Sequence, residues 1–312
     1  MPLVVATGDL QLKSVLIATD FSEASHKAFR HALAIARHYG AKLYVVHVVS
    51  SLGFTIAGPD AINQAVETVR RDARQLQDRL IQSGALAGLR HQVIVLQGDV
   101  SQELEKVIRQ KQVDLVVIGT HGRRGLGKLL LGSVAEQIFR QAECLVLTVG
   151  PGSLQDSPVG SSRAIRPFLF ATDFSRASLH ALPYAISAAN HFGTKLVLLH
   201  VVSSVPMPEG ANRPSADDVM QARQQAHTAA LRRLADLTLH VPKLAIEPEF
   251  LVDFGSLSEK ILHAANHLKA DAIVLGLHRS THIGTASHMP WATAYEVVCD
   301  ACCSVLTVRN HA

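Results

Sequence analysis

The stretch GTHGRRGLGKLLLGS, from Gly119 to Ser133, holds the densest chemistry in the chain. Four glycines, Gly119, Gly122, Gly125 and Gly127, fall within nine residues, and Gly132 and Ser133 close the run. Glycine lets backbone N–H groups approach a phosphate closely. A serine at a helix start adds a hydroxyl beside free N–H donors and the positive end of the helix dipole. Arg123, Arg124 and Lys128 bring three cations, and no acidic residue lies among them. Together these features describe a polyphosphate cradle. It is not a Walker A loop, which needs G-x4-GK[ST], and no GxGxxG follows the first strand to make a dinucleotide fingerprint. His121 is the one nearby candidate base for hydrolysis of a bound polyphosphate, so any such activity is expected to be slow.

A loop of this kind needs rigid elements to aim it. SVLIATD at 14–20, KLYVVHVV from Lys42, HQVIVLQG from His91, DLVVIG from Asp114 and LVLTV from Leu145 are short, β-rich apolar runs. Near-continuous apolar strands suit a parallel sheet buried on both faces. Between them lie helical patterns. Ser22 can cap the first, with Glu23 in its opening turn, apolar positions at Ala28, Leu33, Ile35 and Ala36, and Gly40 as the stop. A long second helix ends near Gly84, SQELEKVIRQKQ forms a third and SVAEQIFRQA a fourth. Alternating strands and helices imply a doubly wound parallel sheet with right-handed crossovers. Ligands of such sheets bind beyond the carboxyl ends of the strands, where strand order reverses. Asp20 follows the first strand and can accept from a ribose hydroxyl or a base amino group, or can serve as a turn residue. Val46 to Val48 end the second strand and can flank a base. His47 itself reads as a structural histidine.

The chain repeats itself once. SVLIATDFSEAS at 14–25 returns as PFLFATDFSRAS at 167–178, and KLYVVHVVSS from Lys42 returns as KLVLLHVVSS from Lys195, both at an offset of 153. DLVVIGTH from Asp114 matches DAIVLGLH from Asp271 at an offset of 157, and LVLTV from Leu145 matches SVLTV from Ser304 at 159. Slowly growing offsets are what surface-loop insertions produce. GPGSLQDSPVGSSRAIRP, Gly150 to Pro167, has a linker composition. The reading is two domains, 10–150 and 164–310.

These residues resemble the universal stress protein family in its tandem, UspA-like form. The resemblance rests on ATDFS after strand one, the xxHV ending of strand two, and G-x2-G-x9-G-S, met in full by Gly119, Gly122, Gly132 and Ser133. It implies two tandem doubly wound five-stranded parallel-sheet domains of the adenine nucleotide alpha hydrolase-like type. It further implies ATP as ligand, Mg²⁺ bridging phosphate oxygens, a role in stress survival, and dimerisation through homo-oligomers or an intramolecular pseudo-dimer. Carried over by motif, Asp20 lies near the adenosine and Val48 presents backbone to the base. Gly119, Gly122, Gly132 and Ser133 hold the phosphates. The second copy keeps Asp173, Val201 and Gly276 but carries Arg279 in place of the second glycine and Met289-Pro290 in place of Gly-Ser. Arg279 resists a positive φ and Pro290 removes a donor, so this copy is expected to bind ATP poorly or not at all. The protein is expected to act by nucleotide-dependent stabilisation or by binding a protein partner. A nucleotide-independent scaffold and a slow ATPase are the rival readings.

Composition narrows the classes further. Of 312 residues, 48% are hydrophobic and 18% charged, enough for a proper core in each half. Aromatics at 5% supply no stacking platform for single strands, and a net charge of +4 without a basic block does not mark a nucleic-acid binder. No apolar run reaches the length of a membrane span, and the opening MPLVVATGDLQLK lacks the pattern of a signal peptide. Cys144, Cys299, Cys302 and Cys303 make no disulfide framework, so a reducing cytoplasm is the expected location. Cys299-x2-Cys302 with His278, His282 and His288 could compose a zinc set, but burial of ordinary thiols is the preferred reading. No G-x-S-x-G elbow supports a hydrolase triad.

Overall fold

The computed structural model describes residues 11–50, 84–120, 133–150, 166–204, 215–239, 244–277 and 291–309, with scattered positions between 67 and 82. Contacts divide them into two units, one within residues 11–151 and one within 152–312. The first runs β1 (Ser14–Ala18), α1 (Glu23–Tyr39), β2 (Lys42–Ser50), β3 (His91–Gly98), α2 (Val100–Gln110), β4 (Leu115–Gly119), α3 (Ser133–Gln141) and β5 (Leu145–Val149). Its strand order is β3-β2-β1-β4-β5, all parallel. The chain winds outward from β1 to β3, then returns to the other side of β1 to place β4. The carboxyl ends of β1 and β4 therefore flank the switch point at which such sheets hold ligands.

Local chemistry explains the elements. The central strands bury Val15, Leu16 and Ile17 of β1 and Val116 and Val117 of β4, while the edge strand β3 is half-buried over most of its length. The Ser22 hydroxyl accepts from the Ser25 N–H to cap α1, and Gly40 ends it at φ 60° in the left-handed region. The buried face of α1 is small: Ala28, Ala32, Leu33 and Ala36. Ile35, expected in that stripe, is only half-buried. Asp99 caps α2, which buries Leu104, Val107 and Ile108. At the start of the sheet Asp114 Oδ2 accepts from Lys13 N, Ser14 N and Ser14 Oγ at 2.8–3.0 Å, tying the residue before β4 to the first residue of β1.

The second unit repeats this plan with β6 (Phe168–Ala171), α4 (Arg176–Phe192), β7 (Leu196–Val202), α5 (Ala216–Leu239), β8 (Glu249–Phe254), α6 (Leu257–His267), β9 (Ala272–Leu277), α7 (Trp291–Asp300) and β10 (Ser304–Arg309). The order is β8-β7-β6-β9-β10, again parallel. The registers coincide. Val15 pairs Leu115 as Phe168 pairs Ala272, and Gly119 pairs Val149 as Gly276 pairs Val308. Each position at the carboxyl ends of the first sheet thus has a defined counterpart in the second. Among the described residues no helix is long and apolar enough to cross a membrane.

One buried group on α1 gives stability a pH dependence. His31 Nε2 has no hydrogen-bond partner among the described residues. Burial, reinforced by the Arg30 charge, lowers the pKa of His31 from 6.5 to about 4. The unfolded chain takes up a proton near the ordinary value, whereas the folded chain refuses it until about pH 4. Stability falls as pH drops through that window, by up to about 3 kcal/mol from this group. His31→Leu is expected to flatten the decline between pH 6.5 and 4 in urea melts, while an unchanged slope would assign it to other groups.

Candidate functional site

The turn after β1 is a closed set of hydrogen bonds. Thr19 N donates to Val46 O at 2.9 Å, extending the β1–β2 pairing by one residue. Thr19 Oγ1 accepts from Phe21 N at 3.2 Å and donates to Ser25 Oγ at 3.2 Å, and Ser25 Oγ donates to Ser22 O at 2.9 Å. Asp20 Oδ1 accepts from Ser22 N at 3.0 Å. Phe21 sits at φ 61°, a strained value for a side-chain-bearing residue, with its ring 4.6 Å from that of His47. His47 Nδ1 lies 2.8 Å from Thr19 O. A carbonyl only accepts, so Nδ1 carries the proton and His47 is a structural donor, as its sequence context suggested.

The second unit builds the same turn. Phe174 is also at φ 61°, Thr172 Oγ1 accepts from Phe174 N at 3.0 Å and Asp173 Oδ1 accepts from Ser175 N at 2.9 Å. His200 Nδ1 reaches Thr172 O at 2.8 Å. Here Arg233 of α5 lays its guanidinium 3.9 Å from the Phe174 ring, on the Phe174–His200 stack. Burial holds the pKa of His200 below its ordinary value, with Arg233 adding to that effect and the Thr172 carbonyl opposing it. The ATDFS run is therefore an architectural device in both copies.

Gly119 has a second structural reason to be glycine. A Cβ placed there meets the Ala24 backbone oxygen at 2.5 Å, and one placed at Gly276 meets the Ala177 oxygen at 2.2 Å. The first turn of α1 is pressed onto the end of β4, and that of α4 onto the end of β9. The glycine survives in the copy whose remaining loop motif is lost, so packing accounts for it independently of any phosphate.

Beyond the β1, β2, β4 and β5 ends lies an open cleft of about 600 Å³. Val46, Val48, Val100 and Leu104 give it an apolar wall. Asp20, Ser22, Glu23 and Lys27 line the α1 side, and Gly119, Thr120, Val149 and Gly150 lie across from them. Val134 and Ala135, in the opening turn of α3, complete the lining. Of the residues singled out from sequence, Asp20, Val48 and Gly119 are thus brought together, and Ser133 is the first residue of α3. Gly122, Gly132, His121 and the three loop cations lie outside the described residues, as do Arg279, Pro290 and the histidines of the suggested zinc set.

Asp20 is exposed, and its pKa is moved by opposed effects. Burial raises it, but hydrogen bonds from Ser22 and Ser25 outweigh that and leave the carboxyl below its ordinary value. It is an anion at neutral pH and can accept from hydroxyls. Among the described residues no group of three or more His, Cys, Asp or Glu could hold a metal ion. A divalent cation here would rest on ligand oxygens and water, as Mg²⁺ commonly does with phosphates. Cys303 is buried, and that burial pushes its thiol up to about 12, an inert group.

Sequence reasoning missed three lining positions that distinguish the two crevices. Glu23, Thr120 and Gly150 line the first, while the matching residues of the second unit are Arg176, Leu277 and Arg309. Thr120 Oγ1 donates to Val149 O at 3.0 Å, a bond Leu277 cannot make. Gly150 leaves space where Arg309 brings a long cation. The signal was present in the repeat itself, one residue beyond β4 and β5 for Thr120 and Gly150, and at the first residue of α1 for Glu23.

Comparison with known proteins gives a consistent picture. The model of the universal stress protein family matches residues 11–150 and again 164–309. Universal stress protein MJ0531 of Methanocaldococcus jannaschii is 29% identical over 147 residues, covering 47% of this chain and 86% of its own. Universal stress protein A homolog 1 of Coxiella burnetii is 32% identical over 143 residues, 45% of this chain and 97% of its own. A crystal structure of a universal stress protein from Archaeoglobus fulgidus aligns over 96% of this chain and 99% of its own, with TM-score 0.65 and 20% identity. That last likeness establishes the fold.

If Gly119 and Gly276 serve packing, Gly119→Ala and Gly276→Ala will both destabilise, by about 1–3 kcal/mol each. Urea unfolding without added ligand measures this. A loss confined to Gly119→Ala, or absent from both, would return the glycine to a purely ligand-binding role.

Proposed function

The chain belongs to the universal stress protein family, with the adenine nucleotide alpha hydrolase-like fold, and we propose that its first domain binds ATP with Mg²⁺. The observation that carries this reading is the cleft of about 600 Å³ at the switch point of the first sheet. Its volume falls within the range usual for small-ligand sites, and an apolar wall faced by a few polar groups is their usual lining. Val46, Val48 and Leu104 offer a surface for the flat base, and the Asp20 carboxylate can accept from the ribose hydroxyls. The opening turn of α3, led by Ser133, offers unpaired N–H groups and the positive end of a helix dipole to phosphate. Gly119, with Gly122 and Gly132 of the loop, is assigned to the same phosphates.

The second domain, with Arg176, Leu277 and Arg309 at the matching positions, is assigned no nucleotide. In this reading the protein acts in the cytoplasmic stress response through its nucleotide-loaded state. A ligand that binds only the folded form raises stability by mass action. It can switch a protein partner only by binding one conformation better than another.

Calorimetry of the full chain with ATP–Mg²⁺ is the test, and one site per chain is expected. Asp20→Ala should weaken binding about tenfold or more, the usual loss for hydrogen bonds to a charged group. Gly132→Pro and Gly150→Arg should abolish it, whereas Gly284→Pro in the second domain should leave it intact. Absence of binding to the wild type, or binding that survives Gly150→Arg and Gly132→Pro, refutes the assignment.

A further inference from the structure

The exposed face of α6 carries a pair of histidines that no feature of the nucleotide site uses. His263 and His267 are four residues apart, one helical turn, so they stand one above the other on the same face. Both are exposed. Their ring centroids are 6.3 Å apart and their planes are parallel to within 2°. The opposite face of the helix buries Ile261, Ala264 and Ala265, which fixes the backbone that presents them. Among the described residues neither ring has a hydrogen-bond or ion-pair partner. The contrast with His47, His91 and His200 is informative, because each of those spends Nδ1 on a backbone carbonyl at 2.8 Å.

We propose that His263 and His267 form a chelating site for a divalent transition-metal ion. Two neutral imidazoles one turn apart can converge on one ion by modest side-chain rotation, and imidazole nitrogen suits Zn²⁺, Ni²⁺ and Cu²⁺. Three further features favour a cation at this spot. His267 is the last residue of α6, so the ion lies against the negative end of the helix dipole. Glu259, one turn before His263, puts an exposed carboxylate on the same stripe. Lys260, three residues before His263, is turned toward Asp253 at 3.4 Å, and Lys269 follows His267 by two residues, beyond the end of the helix.

The described residues hold no group of three or more candidate ligands, so water fills the remaining coordination positions. This is an open site with exchangeable ligands. Mg²⁺ and Ca²⁺, which prefer oxygen ligands, are not expected there. The first domain has Lys106 and Gln110 at the matching positions of α2, so the site belongs to the second domain alone.

The test titrates the full-length protein with NiCl₂, CuSO₄, ZnCl₂ and MgCl₂ by calorimetry. Affinity should follow Cu²⁺ over Ni²⁺ and Zn²⁺, with no heat from Mg²⁺. His263→Ala and His267→Ala should each lower Ni²⁺ affinity about tenfold or more. The pair geometry exists only in the folded helix, so Ni²⁺ should raise the thermal midpoint of the wild type and not of the double variant. A triple variant, His278→Ala with His282→Ala and His288→Ala, should retain the site. The proposal is overturned if either single variant binds Ni²⁺ as the wild type does, or if the triple loop variant is the one that loses it.

Discussion

The contact on which each domain turns is between a strand end and a helix start. The Gly119 Cα sits so close to the Ala24 carbonyl that no side chain fits between them, and Gly276 meets Ala177 in the same way. This closeness puts the first turn of α1 directly over the end of β4. In the neighbouring β1–α1 turn Phe21 sits at a positive φ of 61°. The strain is held by Thr19, Ser22, Ser25 and His47, whose hydrogen bonds close around it. The edge of the cleft is thus rigid before any ligand arrives, and a pre-formed site loses less free energy on binding.

The duplication separates framework from ligand chemistry. Everything that shapes the turn is present twice, with the same partners and nearly the same distances. Asp20 and Asp173 each hold the amide two residues on, so the turn accounts for an aspartate in both copies whether or not the crevice takes a ligand. What differs lies one step outward. Glu23 becomes Arg176, Thr120 becomes Leu277 and Gly150 becomes Arg309. These three changes leave the hydrogen-bonded turn untouched; they alter charge and space at the strand ends and remove the Thr120–Val149 hydrogen bond. A motif shared by both copies therefore reports the fold first, and the residues that flank it mark where the two copies differ.

Much of this was legible in the sequence. The strands were visible because parallel strands buried on both faces are unbroken apolar runs, and β3 emerges at His91 to Gly98 as the pattern predicted. Ser22 and Gly40 bounded α1 because capping chemistry is local. The crevice followed from strand order. Other features were hidden because they depend on packing between distant segments. The overlap at Gly119 is one, since a glycine in a phosphate-type loop already had an explanation. The Arg233–Phe174 stack is another, linking residues far apart on α5 and after β6. The half-burial of Ile35 reflects the same limit, because periodicity gives the face of a helix but not how far the sheet extends beneath it.

A rigid turn with adjustable surroundings also bears on how one crevice could lose a ligand without loss of the domain. Arg309 ends β10 in register with Leu277, and Val308 beside it remains buried. An arginine there puts its charge at the carboxyl end of the sheet, on a half-buried residue. The same arginine at Gly150 would project into the space that the first domain keeps for its cleft. On the proposed reading, the difference between Gly150 and Arg309 bears on occupancy of the cleft and leaves the strand pairing of both sheets as it is. Asymmetric use of two similar domains needs no change in fold, only side chains added where one copy has none.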